Sequence, residues 1–334
     1  MKKPVSFAFV GFRHSHIISL YELCKKRKDI RVVATCEEDE ATRDFLKSSD
    51  IYINHSSYQE MLDTVKCDCI AIGDYYGKRG QMIVKALRAG RHIISDKPIC
   101  TSHIELEEIT QLHHDTHQAI GCMLDLRDHP VFQSLRAYIQ DGQIGNVQTI
   151  SFNGQHPLKP RTRPSWYFEE GKHGGTINDI AIHAIDLIPW LTGHAIKKPI
   201  AARCWRVADM GQDEFEIGAQ LMLELTNGAG VLGDISYLAP DSHGFDHSLY
   251  WRFTIHGTRG ALEASYNASD ISLWQKASRD LVRLPIVHKT TYHFLEDFLA
   301  EISGENIPFG LTSASILQAS KIALLLQQKA QEQA

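Results

Sequence analysis

The sequence predicts a two-domain chain: an α/β domain with a parallel sheet, then an α+β domain with a large, mainly antiparallel open sheet. Three observations carry that prediction. Over the first third, short apolar runs alternate with helix-compatible stretches of ten to twenty residues, the rhythm of βαβ crossovers. After about residue 145 the runs lengthen and take on a period of two. The length of 334 residues suits about two domains at the usual ~150 residues each. The division is expected at 1–123 and 124–334.

Residues 5–10 read as the first strand, followed by a turn at Gly11 and an amphipathic helix through Lys25. Residues 31–36 are a second strand, with a polar, helix-compatible stretch at 37–47. A third strand is expected at 67–73, a helix at 78–89 closed by Gly90, a fourth strand at 92–95, a helix at 104–117 and a strand at 119–123. In a sheet of this kind, ligands bind at the carboxyl ends of the strands. In the second domain, strands are expected at 147–152, 201–207, 217–226, 231–238 and 251–256. Ile217, Ala219, Leu221, Leu223 and Leu225 alternate with Gly218, Gln220, Met222 and Glu224, which buries one face of a sheet. Asn227-Gly228 between two of these runs signals a hairpin. Residues 290–302 and 313–331 are closing helices.

Composition narrows the function. Lys plus Arg number 35 against 40 Asp plus Glu, a net charge of −5, which argues against nucleic acid or an anionic membrane as partner. No apolar run approaches the ~20 residues that span a bilayer. The apolar stretch after Lys3 is too short for a signal peptide. Seven scattered cysteines fit reduced thiols and a cytoplasmic location. The 18 histidines call for a search for metal sites.

Gly11-Phe12-Arg13-His14-Ser15-His16 sits between the first strand and the first helix, where a Rossmann glycine loop belongs. Of the pattern G-x-G-x-x-G only the first glycine is kept; Arg13 and His16 take the other two places. Helix-terminal amides there still face a phosphate, and Arg13 offers a fork of donors. The alternative is a surface arginine at a tight turn. Glu37 directly follows the second strand and can accept both ribose hydroxyls while repelling a 2′-phosphate, which favours NAD over NADP. The alternative is a solvated acidic run, since Glu38, Asp39 and Glu40 follow.

Two further segments carry a resemblance. One is a strand ending in Asp96-Lys97-Pro98; the other runs from Gly174-Gly175 through Asp179 and His183 to Asp186. Together with Gly90-Arg91-His92, Arg127-x-x-Pro130 and Ile144-Gly145, they resemble the glucose-fructose oxidoreductase, inositol dehydrogenase and MocA family (Gfo/Idh/MocA) over nearly the whole chain. The resemblance implies an oxidoreductase acting on a sugar, cyclitol or related polyol with NAD, and a homodimer or homotetramer. It implies Lys97, Asp179 and His183 as the catalytic set. Gly11, Phe12, Arg13, His14, Glu37, Asp74, Tyr75 and Lys97 are the cofactor candidates. Arg127, Arg163, Trp166 and Lys172, with Asp179 and His183, are the substrate candidates. An ammonium from the first domain is then expected to meet an imidazole and a carboxylate from the second.

The chemistry of these residue types agrees. Asp179, His183 and Asp186 fall at i, i+4 and i+7 on one helical stripe, opposite Ile177, Ile180, Ala181, Ala184, Leu187 and Leu191. Histidine suits the proton an alcohol loses near neutral pH, and a lysine at a strand's end suits the developing oxyanion. Thr176-Ile-Asn-Asp179 also satisfies a capping-box pattern, in which the acid merely closes the helix start.

The chain departs from the family where Thr-Pro-Asn-x-x-His is common, reading Asp74-Tyr-Tyr-Gly-Lys-Arg79. Bulky aromatics at 75 and 76, with Arg13, favour as an alternative a catalytically silent nucleotide- or sugar-binding protein on the same scaffold. Lys159, Arg161 and Tyr167 near Trp166, His173 beside Lys172, and the loop of Asp241, His243, Asp246 and His247 are further polar candidates. No metal is expected. His113 and His117 are i, i+4 without the acidic residue of H-E-x-x-H, and Cys67 and Cys69 have no second pair. His14 and His16 flank the glycine turn, where cofactor or substrate contact is expected rather than metal. A metal hydrolase is the third and lowest reading.

Overall fold

The structure is a computed structural model that describes residues 3–207 and 214–332. These form two compact units, both discontinuous in sequence. The first comprises Met1–Met123, Pro164–Gly174 and Phe294–Ser320; the second comprises Leu124–Arg163, Gly175–His293 and Lys321–Ala334.

In the first unit the chain alternates strand and helix: β1 (Val5–Val10), α1 (Ser15–Lys25), β2 (Ile30–Cys36), α2 (Glu40–Leu46), α3 (Tyr58–Thr64), β3 (Cys69–Ile72), α4 (Tyr76–Arg88), β4 (His92–Ser95), α5 (His103–Thr116) and β5 (Ile120–Cys122). The five strands pair in parallel in the order β2-β1-β3-β4-β5. Their residues are apolar almost without alternation because helices cover both faces. The chain reverses direction across the sheet between β1 and β3, which places a crevice at their carboxyl ends. Gly11, with φ +76°, makes the turn there; a Cβ on it would lie 2.6 Å from the Asp74 amide nitrogen. The expected helix at 104–117 ends at Thr116, and His117 adopts left-handed φ 58°, so His113 and His117 do not share a helical face.

The second unit opens with α6 (Pro130–Gln140) and β6 (Val147–Pro157), passes a π-helical turn (Ile177–Ala181) into α7 (Ile182–Thr192), and then builds its sheet. The strands are β7 (Ile196–Trp205), β8 (Gly218–Leu225), β9 (Gly230–Ala239), β10 (Arg252–Gly257), β11 (Gly260–Ser265), β12 (Asp270–Gln275) and β13 (Val282–Pro285). Helices α8 (His293–Ile302) and α9 (Ser313–Gln331) close the chain. The eight strands run β13-β12-β11-β10-β6-β9-β8-β7, antiparallel throughout except for the parallel pair β6 and β9. Asn227-Gly228 makes the β8–β9 hairpin, with Gly228 at φ +85°. Phe152 stacks on Phe253 at 5.7 Å, and Phe132 of α6 meets Phe253 edge-on. The sequence reading did not anticipate α3, α6 or β11–β13. The seven residues of α3 are too few for a helical period, and β11 and β13 carry too little apolar alternation to stand out.

Candidate active site

In the first unit the turns after β1, β2, β3 and β4 bring their polar residues together. Glu37, fully buried after β2, accepts hydrogen bonds from the Phe12 amide at 2.6 Å and the Asp39 amide at 2.8 Å. Both carboxylate oxygens are therefore engaged by backbone, where the sequence reading gave them to a ribose. Burial raises its pKa above the usual carboxylate range, and those two amides oppose the rise. Arg13 lies among three carboxylates, 3.0 Å from Asp39, 3.4 Å from Asp74 and 3.9 Å from Glu37, with its guanidinium over the Tyr75 ring. Asp74 takes left-handed φ 67°; its carboxylate accepts from the Tyr75 amide and from Lys78 at 2.9 Å. The first turn of α1 has no side-chain cap, so its amides remain available to an anion.

Arg79, in the place of the family's histidine, is fully buried. It donates to the carbonyls of Gly73, Asp74 and Lys97 and to the Asp96 carboxylate at 2.8 Å, tying the turn after β3 to the end of β4. Burial works against charge on Asp96, yet Arg79 and His14 hold it well below the usual carboxylate range. His14 is pushed down to about 4 by burial, against the attraction of Asp96. Its Nε2 meets the Tyr167 hydroxyl at 3.1 Å, and that hydroxyl meets the Tyr76 hydroxyl at 2.6 Å. Tyr76, Trp166 and Tyr167 form a buried aromatic cluster, over which the Lys97 ammonium lies 5.5 Å from the Tyr76 ring. Trp166 and Lys172 thus belong to the first unit. Lys172 pairs with Glu169 and lies 5.1 Å from the Tyr75 ring.

In the second unit, Asp179 and His183 are both buried at the entry to α7. The expected i, i+4, i+7 stripe of one α-helix is corrected here. Residues 177–181 form a π turn, whose extra residue per turn shifts Asp179 relative to His183 and Asp186. The capping box is not made either: the Thr176 hydroxyl donates to the Glu216 carbonyl. Asp179 instead accepts from the Tyr237 hydroxyl, a partner 58 residues away that no local spacing signals. The Arg163 guanidinium lies 5.1 Å from the Tyr237 ring and donates to the Leu158 and Pro157 carbonyls. His183 Nδ1 lies 3.8 Å from Asp125, and its ring packs on Trp251 at 5.5 Å. Asp186 engages the substrate candidate Arg127 through two nitrogens, one at 2.7 Å, which holds Arg127 in a buried ion pair. Burial raises the Asp186 pKa and Arg127 opposes it.

Comparison with known proteins agrees with the resemblance carried by Lys97-Pro98 and by Asp179 and His183. A family model described as an oxidoreductase family with an NAD-binding Rossmann fold matches residues 5–123, and the GFO/IDH/MocA C-terminal domain matches residues 132–263. Levoglucosan dehydrogenase of Pseudarthrobacter phenanthrenivorans is 22% identical over 237 residues, 64% of this chain and 60% of that protein. The match thus spans less than two thirds of that relative's length. Inositol 2-dehydrogenase of Rhizobium meliloti is 23% identical over 237 residues, 70% of this chain and 68% of the relative. The solved structure of the WlbA dehydrogenase from Bordetella pertussis, in complex with NADH and UDP-GlcNAcA, shares the fold. Its TM-score is 0.79 at 16% identity, over 99% of this chain and 98% of that one. With a glycine turn at the switch point of a parallel sheet and both family matches in place, the chain belongs to the GFO/IDH/MocA family of oxidoreductases, its first domain being an NAD-binding Rossmann fold.

Proposed function

We propose that the protein is an NAD-dependent dehydrogenase interconverting a secondary alcohol and a ketone on a sugar, cyclitol or related polyol. The observation that carries this reading is the entry to α7, where His183 and Asp179 are both buried and a phenol holds the carboxylate in place. The substrate class follows the relatives named for levoglucosan and inositol. Gly11, Phe12, Arg13 and His14 would hold the dinucleotide, with Asp74, Tyr75 and Lys97 beside it. The uncapped first turn of α1 is the feature that fits a phosphate. Glu37 would turn from the backbone amides to the ribose, and the acidic surroundings of Arg13 disfavour a 2′-phosphate. When bound, the nicotinamide supplies the hydride acceptor. Lys97 polarises the reacting hydroxyl and Asp179 orients it. As the carbon gives up hydride, the O–H bond breaks, its proton passes to His183, and a carbonyl is left. Arg163, Trp166 and Lys172 serve the rest of the sugar, and Arg127 acts through Asp186.

The proposal includes a cytoplasmic location and association of copies through the open face of the large sheet, where Leu232 and Met222 are 57% and 39% exposed. Among the described residues no helix is long and apolar enough to cross a membrane. Arg13 among its carboxylates, with Glu37 engaged by backbone, favours a second reading in which nucleotide or sugar is held without turnover. NADH fluorescence titration followed by a polyol panel distinguishes the two. The dehydrogenase gives NADH with a polyol and loses it in Lys97→Ala and His183→Ala. Binding without turnover identifies the silent scaffold, and no binding at millimolar nucleotide removes the redox reading.

A further inference from the structure

Asp96 and His16 take no part in the alcohol chemistry proposed above, yet the fold gathers them with His14 into one cluster. We propose that His14, His16 and Asp96 bind a divalent first-row transition ion of the zinc type. Each offers one donor atom, and the three donors lie within 4.8 Å of one another. His14 Nδ1 is 2.6 Å from Asp96 Oδ2 and His16 Nδ1 is 3.0 Å from Oδ1. Adjacent ligands on a tetrahedral ion with bonds of ~2.1 Å stand roughly 3.4 Å apart, so outward shifts of less than about 1 Å admit the ion. The two imidazole rings sit 4.5 Å apart at 82°, which lets both nitrogens converge on one point.

His14 Nδ1 is buried and lies 2.6 Å from Asp96 Oδ2, a contact that a proton bridges in the free protein and that a metal ion would take over. The surroundings match those of a metal-bound histidine, whose other nitrogen is oriented by a neighbour. His14 Nε2 faces the Tyr167 hydroxyl at 3.1 Å, leaving Nδ1 as the ligand. Arg79 orients the carboxylate from the far side at 2.8 Å. Asp96 is fully buried while the His16 side chain is 36% exposed, which gives the ion an entry path. Two imidazoles and a carboxylate select zinc-like ions over calcium or magnesium, and three protein donors leave a position for water or another oxygen ligand. The positive charge of Arg79 and of the α1 amino terminus works against the ion, so the affinity is moderate.

The full chain is titrated with Co²⁺ and Zn²⁺ without nucleotide or substrate, reading Co²⁺ visible absorption and, after dialysis, elemental content. Wild type takes up one ion per chain. His16→Ala binds roughly tenfold more weakly or worse, as loss of a ligand costs at least what loss of its support does. His114→Ala, on the exposed face of α5, binds as wild type. Absence of a stoichiometric ion in wild type overturns the site, as does unchanged binding in His16→Ala. The wild-type titration decides alone if that variant loses its fold. Because no nucleotide is present, failure here leaves the dehydrogenase reading standing, and failure of that reading leaves this one.

Discussion

The carboxyl end of the parallel sheet and the entry to α7 both bury acids, and they neutralise them by different means. At the sheet end both aspartates meet cations: Asp96 has Arg79 at 2.8 Å, and Asp74 has Lys78 at 2.9 Å and Arg13 at 3.4 Å. At α7 the two aspartates part ways. Asp186 is gripped by Arg127, whereas Asp179 takes the hydroxyl of Tyr237. The full counter-charge of Arg127 locks Asp186 in place, which gives it a structural part beside the orienting role proposed for Asp179.

The largest expected effect tests the chemical side. His183→Ala lowers turnover about 10²- to 10⁴-fold, the usual contribution of a general acid/base, with an unchanged melting temperature. An equal loss of stability would make His183 part of the scaffold. Arg127→Ala does the reverse. Leaving Asp186 buried and unpaired costs about 3–5 kcal/mol in chemical denaturation. Arg127→Met combined with Asp186→Leu recovers most of that, because no charge is then stranded. Tyr237→Phe removes one donor to a charged group, worth about 1.5–3 kcal/mol, and appears in kcat more than in KM. A merely structural tyrosine would change stability and leave kcat and KM as they are.

The smallest effect concerns His129, which stacks on Tyr266 at 3.8 Å and is pushed down to about 4 by burial. The unfolded chain binds this proton near the ordinary value of about 6.5 and the folded chain resists it. Its contribution is therefore complete above that pH and is lost as pH falls from about 6.5 to about 4. Denaturation midpoints across that range should fall with acid, and His129→Phe should flatten part of the slope.

Much of the fold was legible because it is local. The strands from β1 to β5 and the hairpin at Asn227-Gly228 follow from runs and turn residues a few positions apart. Lys97, Asp179 and His183, the catalytic set proposed here, were singled out through motif alone. What escaped was relational. Asp96 reaches His16 across 80 residues and Tyr237 reaches Asp179 across 58, and neither distance has a period. The segment Pro164–Gly174 reads as a loop of the second domain and belongs to the first unit. The π turn is invisible too, since its sequence satisfies an ordinary α-helical stripe.

The amino-acid sequence by itself determined the layered plan, the switch point beneath Gly11 and the family to which the chain belongs. Backbone periodicity and turn preference act between near neighbours and are written in order along the chain. The tertiary structure decided which buried charge has which partner: Arg79 for Asp96, Arg127 for Asp186, a phenol for Asp179. Charges are neutralised through space, by whatever group packing brings within about 3 Å, and side-chain order along the chain does not encode that choice.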